Sequence, residues 1–296
     1  MINVPAHQAS DAATTVRRTA VITGATSGLG LAFAERLAAA GYRLTLVARR
    51  TEVLREVAAR LGHGGDSPLI MTADLATEEG VSRLTDGLAA SVPDLLINNA
   101  GYGLPAPFPF SDPADERALL QVNVGCVLRA THAVLPAMIS RGAGAVINVA
   151  SVAAHGPVWL ASTYPASKSW VLAFTESTAR SAQLKGSGVH MMALLPGYTK
   201  TAFPHRAGMT SPHMPRWMWL TSEQVVATAL KDMERGRTIS IPSLRYRLLS
   251  QALRHLPRAV TTRFSLDRGQ PLRGRSDDSP RDTAGSTSVQ DHHSIR

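Results

Sequence analysis

The sequence predicts an α/β fold: a Rossmann-like, doubly wound parallel sheet of about seven strands in a single domain, with helices on both faces. Three observations predict it. Short apolar runs alternate with helical stretches from Arg18 to Ile241. Most of those runs are continuously apolar, as strands buried on both faces must be. A glycine-rich turn, Thr23-Gly24-Ala25-Thr26-Ser27-Gly28-Leu29-Gly30, joins the first run to the first helix, and parallel sheets of this kind place their ligands at the carboxyl ends of the strands.

Residues 19–23 read as the first strand, followed by LAFAERLAAAG, an Ala/Leu helix stopped by Gly41. Strands are then expected at 43–48, 68–72, 94–98, 145–149 and 189–195. The helices between them are expected at 52–61, 78–91, 115–140 and 162–185. Past Pro196 the pattern loosens. The segment 202–220, rich in Pro, Met and Trp, reads as a lid over a substrate; 223–235 reads as a helix and 238–241 as a seventh strand. The chain thus divides into a flexible segment 1–16, a catalytic domain 17–242 with its lid, a basic amphipathic extension 243–266, and a Ser/Arg/Asp/Gly-rich tail 267–296 that reads as disordered.

Of the 296 residues 44% are hydrophobic and 18% charged, enough apolar material for a sizeable core. The lone cysteine, Cys126, cannot close an intramolecular disulfide and reads as a buried packing residue. Neither a secretory pattern at the start nor an apolar run long enough to span a bilayer is legible, so the cytoplasm is expected. No His/Cys/Asp cluster suggests a metal. The net charge of +9 is uneven: ten arginines stand between Arg235 and Arg275 against one acid, Asp267. That stretch lacks a recognition motif and stacking aromatics, which argues against nucleic acid. Its first part, LRYRLLSQALRHLPRAVTTRF, reads either as an interfacial helix on anionic lipid or as an amphipathic helix packed on the body. The packed reading is preferred.

Gly24, Gly28 and Gly30 let the backbone turn tightly and let a pyrophosphate approach N–H groups at a helix N-terminus. The second strand ends in Val47-Ala48-Arg49-Arg50. An acid there would bond the ribose hydroxyls of NAD, whereas the Arg49 guanidinium can receive a 2′-phosphate. NADP(H) is therefore expected in preference to NAD(H). Tyr164 and Lys168 stand four apart at the start of a helix, with Pro165 in its first turn. A phenol of ordinary pKa near 10 is a poor base at neutral pH. A neighbouring ammonium, together with an oxidised nicotinamide, is expected to lower it. Ser151 ends the fifth strand at the same sheet edge and could bind a substrate oxygen.

Together these motifs resemble the short-chain dehydrogenase/reductase family, in its non-extended form, over roughly residues 18–242. TGATSGLG matches the family's glycine turn, with Gly24, Thr26, Ser27, Gly28, Leu29 and Gly30 as cofactor contacts. Asp74-Leu75 matches the acidic pair after the third strand, near the adenine. Asn98-Asn99-Ala100-Gly101 matches the family's NNAG. Asn123, Ser151, Tyr164 and Lys168 match its catalytic tetrad in order and spacing. Pro196-Gly197, Thr199 and Thr201 match the segment closing over the nicotinamide, with Thr199 replacing the usual Val or Ile. The resemblance implies a hydride transfer between nicotinamide and a carbonyl or secondary alcohol. Tyr164 would pass the proton, Ser151 would orient the carbonyl, Lys168 would bond the nicotinamide ribose, and Asn123 would hold a water leading to solvent. It also implies a homodimer or homotetramer.

Apolar residues around Tyr102–Phe110, Val158–Leu160 and Phe203–Trp219 suit a hydrophobic small-molecule substrate, or else pack the lid. His155 reads as a bystander. The competing reading is a catalytically silent NADP(H)-binding regulator or scaffold on the same fold.

Overall fold

The computed structural model describes residues 17–62, 67–156, 159–160, 162–201, 216–255 and 266–267. The expectations for 1–16, for 202–215 of the lid and for 268–296 lie outside the described residues. The strands are β1 (Thr19–Thr23), β2 (Arg43–Ala48), β3 (Leu69–Thr72), β4 (Leu95–Asn98), β5 (Gly144–Val149), β6 (Trp159–Leu160), β7 (Val189–Leu194), β8 (Ile239–Ser240) and β9 (Leu266–Asp267). Seven of them form one parallel sheet in the order β3-β2-β1-β4-β5-β7-β8, while β6 and β9 pair separately. From β1 the chain winds outward to β3, then returns to β4 and winds the other way. The crevice at this reversal lies at the carboxyl ends of β1 and β4.

Strand side chains alternate between two cores because successive residues point to opposite faces. Ala20, Ile22, Leu44, Leu46, Leu95 and Ile97 face one way. They meet α1 (Gly28–Ala39), α2 (Thr51–Leu61) and α7 (Ser222–Glu234) through Phe33, Leu37, Leu54 and Val225. Val21, Val47, Leu96 and Val146 face the other way, against Val81 and Leu84 of α3 (Glu78–Ala90) and Ala130, Val134 and Met138 of α5 (Cys126–Arg141). Each fully buried side chain of this size contributes about 1.5–3 kcal/mol. Cys126 is buried in the second core, which pushes its thiol up to about 12 despite Arg129 nearby, so it packs rather than reacts.

Two expectations are corrected. The stretch Pro113–Arg141 is helical for 29 residues and is long and apolar enough to cross a membrane by length and composition, contrary to the sequence reading. Arg129, Pro136 and Gly125 do not interrupt it, because its apolar face is the one that meets the sheet and α3. The second correction concerns the helix expected at 162–185: α6 (Tyr164–Ala179) stops earlier. The chain beyond it turns through Gly186 and Gly188, both at positive φ, and a Cβ on Gly188 would lie 2.0 Å from Gly142 O.

A buried amide chain ties β4 and β5 to the helices beneath them. Asn98 Nδ2 donates to Asn148 Oδ1 at 2.9 Å and Thr131 Oγ1 at 3.1 Å; Asn148 Nδ2 donates to Thr175 Oγ1 on α6 at 3.0 Å. In a low-dielectric interior a network of this kind holds its members in one arrangement. It fixes the strand ends from which Asn99 and Ser151 project.

Candidate active site

The glycine turn is shaped by contacts that exclude side chains. Gly24 and Gly28 have φ of +68° and +57°. A Cβ on Gly30 would stand 2.2 Å from Gly24 O and 2.5 Å from Asn99 Nδ2. Asn99 Nδ2 donates to Thr23 O at 2.8 Å and Gly24 O at 3.3 Å, while Thr23 Oγ1 accepts from the N–H groups of Asn99 and Ala100, both at 3.0 Å. The turn is thereby clamped to the end of β4. Ser27, the N-cap of α1, makes no side-chain capping bond, so the first-turn N–H groups face the crevice without that partner, as an anion site requires. Thr201 closes on the same turn, its Cγ2 standing 3.0 Å from where a Gly28 Cβ would be. This cradle fits the pyrophosphate of a dinucleotide.

Arg49 is exposed just past β2. Burial, and then Asp115, push the Tyr102 phenol above its ordinary pKa, whereas Arg49 opposes the rise and Asp74 adds to it. Arg49 and Asp74 are thus both near enough to act on the Tyr102 phenol. Leu75, after Asp74, is buried in the second core. Asp74 Oδ1 accepts from Ala76 N at 3.1 Å, which sets the carboxylate's orientation.

The four expected catalytic side chains come together. Asn123 and Lys168 are buried, as is Tyr164. Ser151 hydrogen-bonds the Tyr164 phenol. Lys168 Nζ lies 5.8 Å from the centroid of the Tyr164 ring and donates to Val149 O at 2.8 Å. Gly101 lies close against the cluster: its Cβ would stand 3.0 Å from Lys168 Nζ and 3.1 Å from Asn123 Oδ1, so a side chain there would press on both. Asn123 sits in a wide π-type turn (Gln121–Gly125) between α4 (Pro113–Leu120) and α5. Its amide is committed to Tyr102 N and O and to Ser167 Oγ at 2.9–3.0 Å.

Burial dominates the electrostatics of the Tyr164–Lys168 pair in the protein alone, whereas the sequence expectation is for the pair beside an oxidised nicotinamide. Burial pushes the Tyr164 phenol up to about 12, with the Ser151 bond opposing, and pushes the Lys168 ammonium down to about 8. The helical spacing placed the ammonium beside the ring. It could not show that both groups are desolvated, nor that Nζ turns to the Val149 carbonyl.

Several positioning roles at the site left no mark in the sequence. Thr23, legible only as the first residue of the glycine turn, holds the Asn99 backbone, and Ser167 holds Asn123. Glu116, mostly buried, accepts from Thr163 Oγ1 at 2.6 Å and Ser111 Oγ at 2.7 Å, fixing the residue before Tyr164. Pro196-Gly197 is covered from outside by α8 (Leu244–His255). A Cβ on Gly197 would fall 2.2 Å from the Tyr246 ring, whose hydroxyl accepts from Tyr198 N at 3.0 Å and donates to Met218 O at 2.8 Å. Thr199 Oγ1 turns back to Gly197 O at 3.0 Å, and Thr199 bridges to Leu220. The described part of the basic extension, α8, thus packs on the body through Tyr246 and Ser250, with Leu244 and Leu248 left exposed.

Comparison with known proteins agrees with this geometry. The family model described as short chain dehydrogenase matches residues 18–210. Sulfoacetaldehyde reductase 2 of Chromohalobacter salexigens is 39% identical over 189 residues, covering 62% of this chain and 73% of that protein. A short-chain dehydrogenase from Sphingobium yanoikuyae, solved in complex with NADPH, superposes with a TM-score of 0.73 at 32% identity, covering 79% of this chain and 93% of that one. The bulky-bulky ketone specific alcohol dehydrogenase of Comamonas testosteroni superposes with a TM-score of 0.69 at 28% identity, over 83% and 97% of the two chains. With a clamped glycine cradle at one side of the crevice and a Ser-Tyr-Lys cluster at the other, the chain belongs to the short-chain dehydrogenase family of NAD(P)-binding oxidoreductases that act on alcohol and carbonyl groups.

Proposed function

We propose that the chain is an NADP(H)-preferring oxidoreductase in which Tyr164 is the proton-transfer group, acting on a hydrophobic carbonyl or secondary alcohol. The bond between the Ser151 hydroxyl and the Tyr164 phenol, made beside a buried Lys168, carries this reading. The bound dinucleotide supplies or accepts the hydride. Gly24, Thr26, Ser27, Gly28, Leu29 and Gly30 would hold its pyrophosphate, Arg49 its 2′-phosphate, and Asp74 and Leu75 its adenine. Asn99, Ala100, Gly101, Pro196, Gly197, Thr199 and Thr201 would flank the nicotinamide half. Ser151 would bond the substrate oxygen, and Tyr164 Oη would give it a proton in reduction or take one in oxidation. The exposed rings of Phe108, Phe110 and Trp217 support an apolar substrate. A panel of apolar ketones, with sulfoacetaldehyde as the polar comparison, followed by NADPH absorbance, tests both activity and class. Faster turnover of the sulfonate than of every apolar ketone would reject the apolar pocket.

The phenol's raised pKa sets the pH dependence. A Tyr164 that keeps its proton across neutral pH is ready to donate, so carbonyl reduction is expected to hold at neutral pH and decline only at alkaline pH. Alcohol oxidation needs the deprotonated phenol and is expected to climb as pH rises. Profiles of kcat/KM in the two directions with the same slope would contradict this assignment. For cofactor choice, Arg49→Glu should lower kcat/KM for NADPH about ten- to hundredfold, since a charge-assisted hydrogen bond contributes about 1.5–3 kcal/mol. NADH should be little affected; equal losses with both would remove Arg49 from the 2′-phosphate.

The lone, buried Cys126 makes no demand for an oxidising compartment, in keeping with a proposed cytoplasmic location. Exposed Leu120 and Leu128 on α4 and α5 support a proposed homo-oligomer.

A further inference from the structure

At the β8 edge of the sheet, α8 and the short turn Val152–His155 enclose a cleft of about 270 Å³. Ile239 and Ile241 supply its apolar wall; Arg237, Arg247, Arg254, His155, Ser250 and Gln251 supply the rest. None of these residues belongs to the dinucleotide cradle.

The charges in this cleft are arranged and incompletely balanced. Asp232, buried behind it, accepts from Arg237 Nη1 at 2.9 Å and Ser240 Oγ at 2.9 Å and stands 3.9 Å from Arg247 Nη2. Arg247 Nε is also anchored to Ile241 O at 3.1 Å. One carboxylate thus orients two guanidinium groups but neutralises only one charge. Arg254 has no carboxylate partner among the described residues and lies close enough to His155 to help burial lower its pKa. Glu176, the acid that acts on His155, is paired with Arg180 at 3.3 Å. Two positive charges remain in the cleft.

Ser250 is the second observation. The residue borders the cleft, only 2% of it is exposed, and its buried Oγ has no hydrogen-bond partner among the described residues. A helical serine can bond the carbonyl four residues back; this one does not. A buried hydroxyl without a partner is a cost, and turning this side chain about its Cα–Cβ bond toward the cleft would let a ligand oxygen remove it.

We propose that this cleft is an oxyanion site that binds the phosphate end of a ligand, a phosphate monoester or diphosphate. A phosphate monoester carries about −1.5 to −2 at pH 7, matching the residual charge. Guanidinium forks bond phosphate oxygens bidentately, and the Ser250 hydroxyl adds a donor. Arg237 and Arg247 are held before the ligand arrives, which lowers the ordering cost of binding. The volume is slightly below that of sites that enclose whole small molecules, so the cleft takes the charged end of a ligand. That phosphate could come from a soluble metabolite or from the headgroup of an anionic lipid.

The test uses the full chain saturated with NADP, so that the cradle is filled and cannot take the probe. Inorganic pyrophosphate is titrated calorimetrically, and saturable binding is expected. Ser250→Ala and Arg254→Gln should each weaken it about tenfold, while Arg55→Gln on the exposed face of α2 should leave it unchanged. No binding to the native chain, or equal binding to the native chain and both cleft variants, overturns the site. Co-sedimentation with phosphatidylglycerol–phosphatidylcholine vesicles separates the sources: retention lost in Arg254→Gln assigns a lipid headgroup, whereas pyrophosphate binding without retention assigns a soluble phosphate.

Discussion

Tyr164→Phe is expected to lower turnover about 10²- to 10⁴-fold, the usual loss when a positioned proton-transfer group is removed, with dinucleotide binding and fold intact. The substitution removes one oxygen. The ring stays in place above Ser167 and Lys168, so the packing of α6 against β5 and β7 is preserved. What disappears is one partner of the Ser151 hydroxyl, which keeps its bond from Ala153 N, and with it the dissociable proton that the phenol places beside Ser151. Lys168 does not take its place, because Nζ is held by Val149 O at 2.8 Å. Thermal stability should change little: the bond between the buried phenol hydroxyl and Ser151 contributes about 0.5–1.5 kcal/mol net. NADPH fluorescence measures binding and NADPH absorbance measures turnover on the same sample. Native-like turnover in the variant would remove Tyr164 from the mechanism. An NADPH-binding native chain silent on every carbonyl would favour the scaffold reading.

Local chemistry made much of this site legible in the sequence. Gly24, Gly28 and Gly30 announce themselves because only glycine allows the positive φ and the 2.2 Å approach found there. Tyr164 and Lys168 share a helix face through their spacing alone. The continuous apolar runs at β1, β4 and β5 require a sheet covered on both sides, and such a sheet requires its crevice where Ser151 and the glycine turn meet. What stayed hidden depends on residues far apart in sequence. Tyr246 lies in a segment whose arginines dominate its appearance, yet its ring occupies the space left by Gly197 and its hydroxyl ties two loop segments together. His155 reads as a lone loop histidine; the fold places it among three arginines. Burial, the largest influence on the Tyr164 and Lys168 pKa values, is a property of the packed molecule. Spacing shows that an ammonium is near a phenol but not how much water either retains, and desolvation decides the direction here.

Gly30→Ala should abolish measurable dinucleotide binding and destabilise the chain by about 1–3 kcal/mol, the usual cost of forcing a methyl group into a packed site. The added Cβ would lie 2.2 Å from Gly24 O and 2.5 Å from Asn99 Nδ2. Neither atom can yield alone. Gly24 is held by the bond from its N–H to Val47 O at 2.8 Å, and Asn99 Nδ2 is held by Thr23 O and Gly24 O. Relief therefore needs the first turn of α1 to move away from β4, opening the bonds through which Thr23 clamps the Asn99 and Ala100 backbone. The same movement displaces the N–H groups that would receive the pyrophosphate, so binding is lost even in molecules that remain folded. The two effects can be separated: thermal unfolding without ligand reports the stability loss, and fluorescence titration with NADPH well below the unfolding temperature reports the binding loss. Gly41→Ala is the control: it is also at positive φ, +79°, but has nothing within 4 Å of its added Cβ. It should cost stability through backbone strain yet leave NADPH affinity unchanged. Equal affinities for the Gly30→Ala and Gly41→Ala variants would show that the turn is not the phosphate cradle.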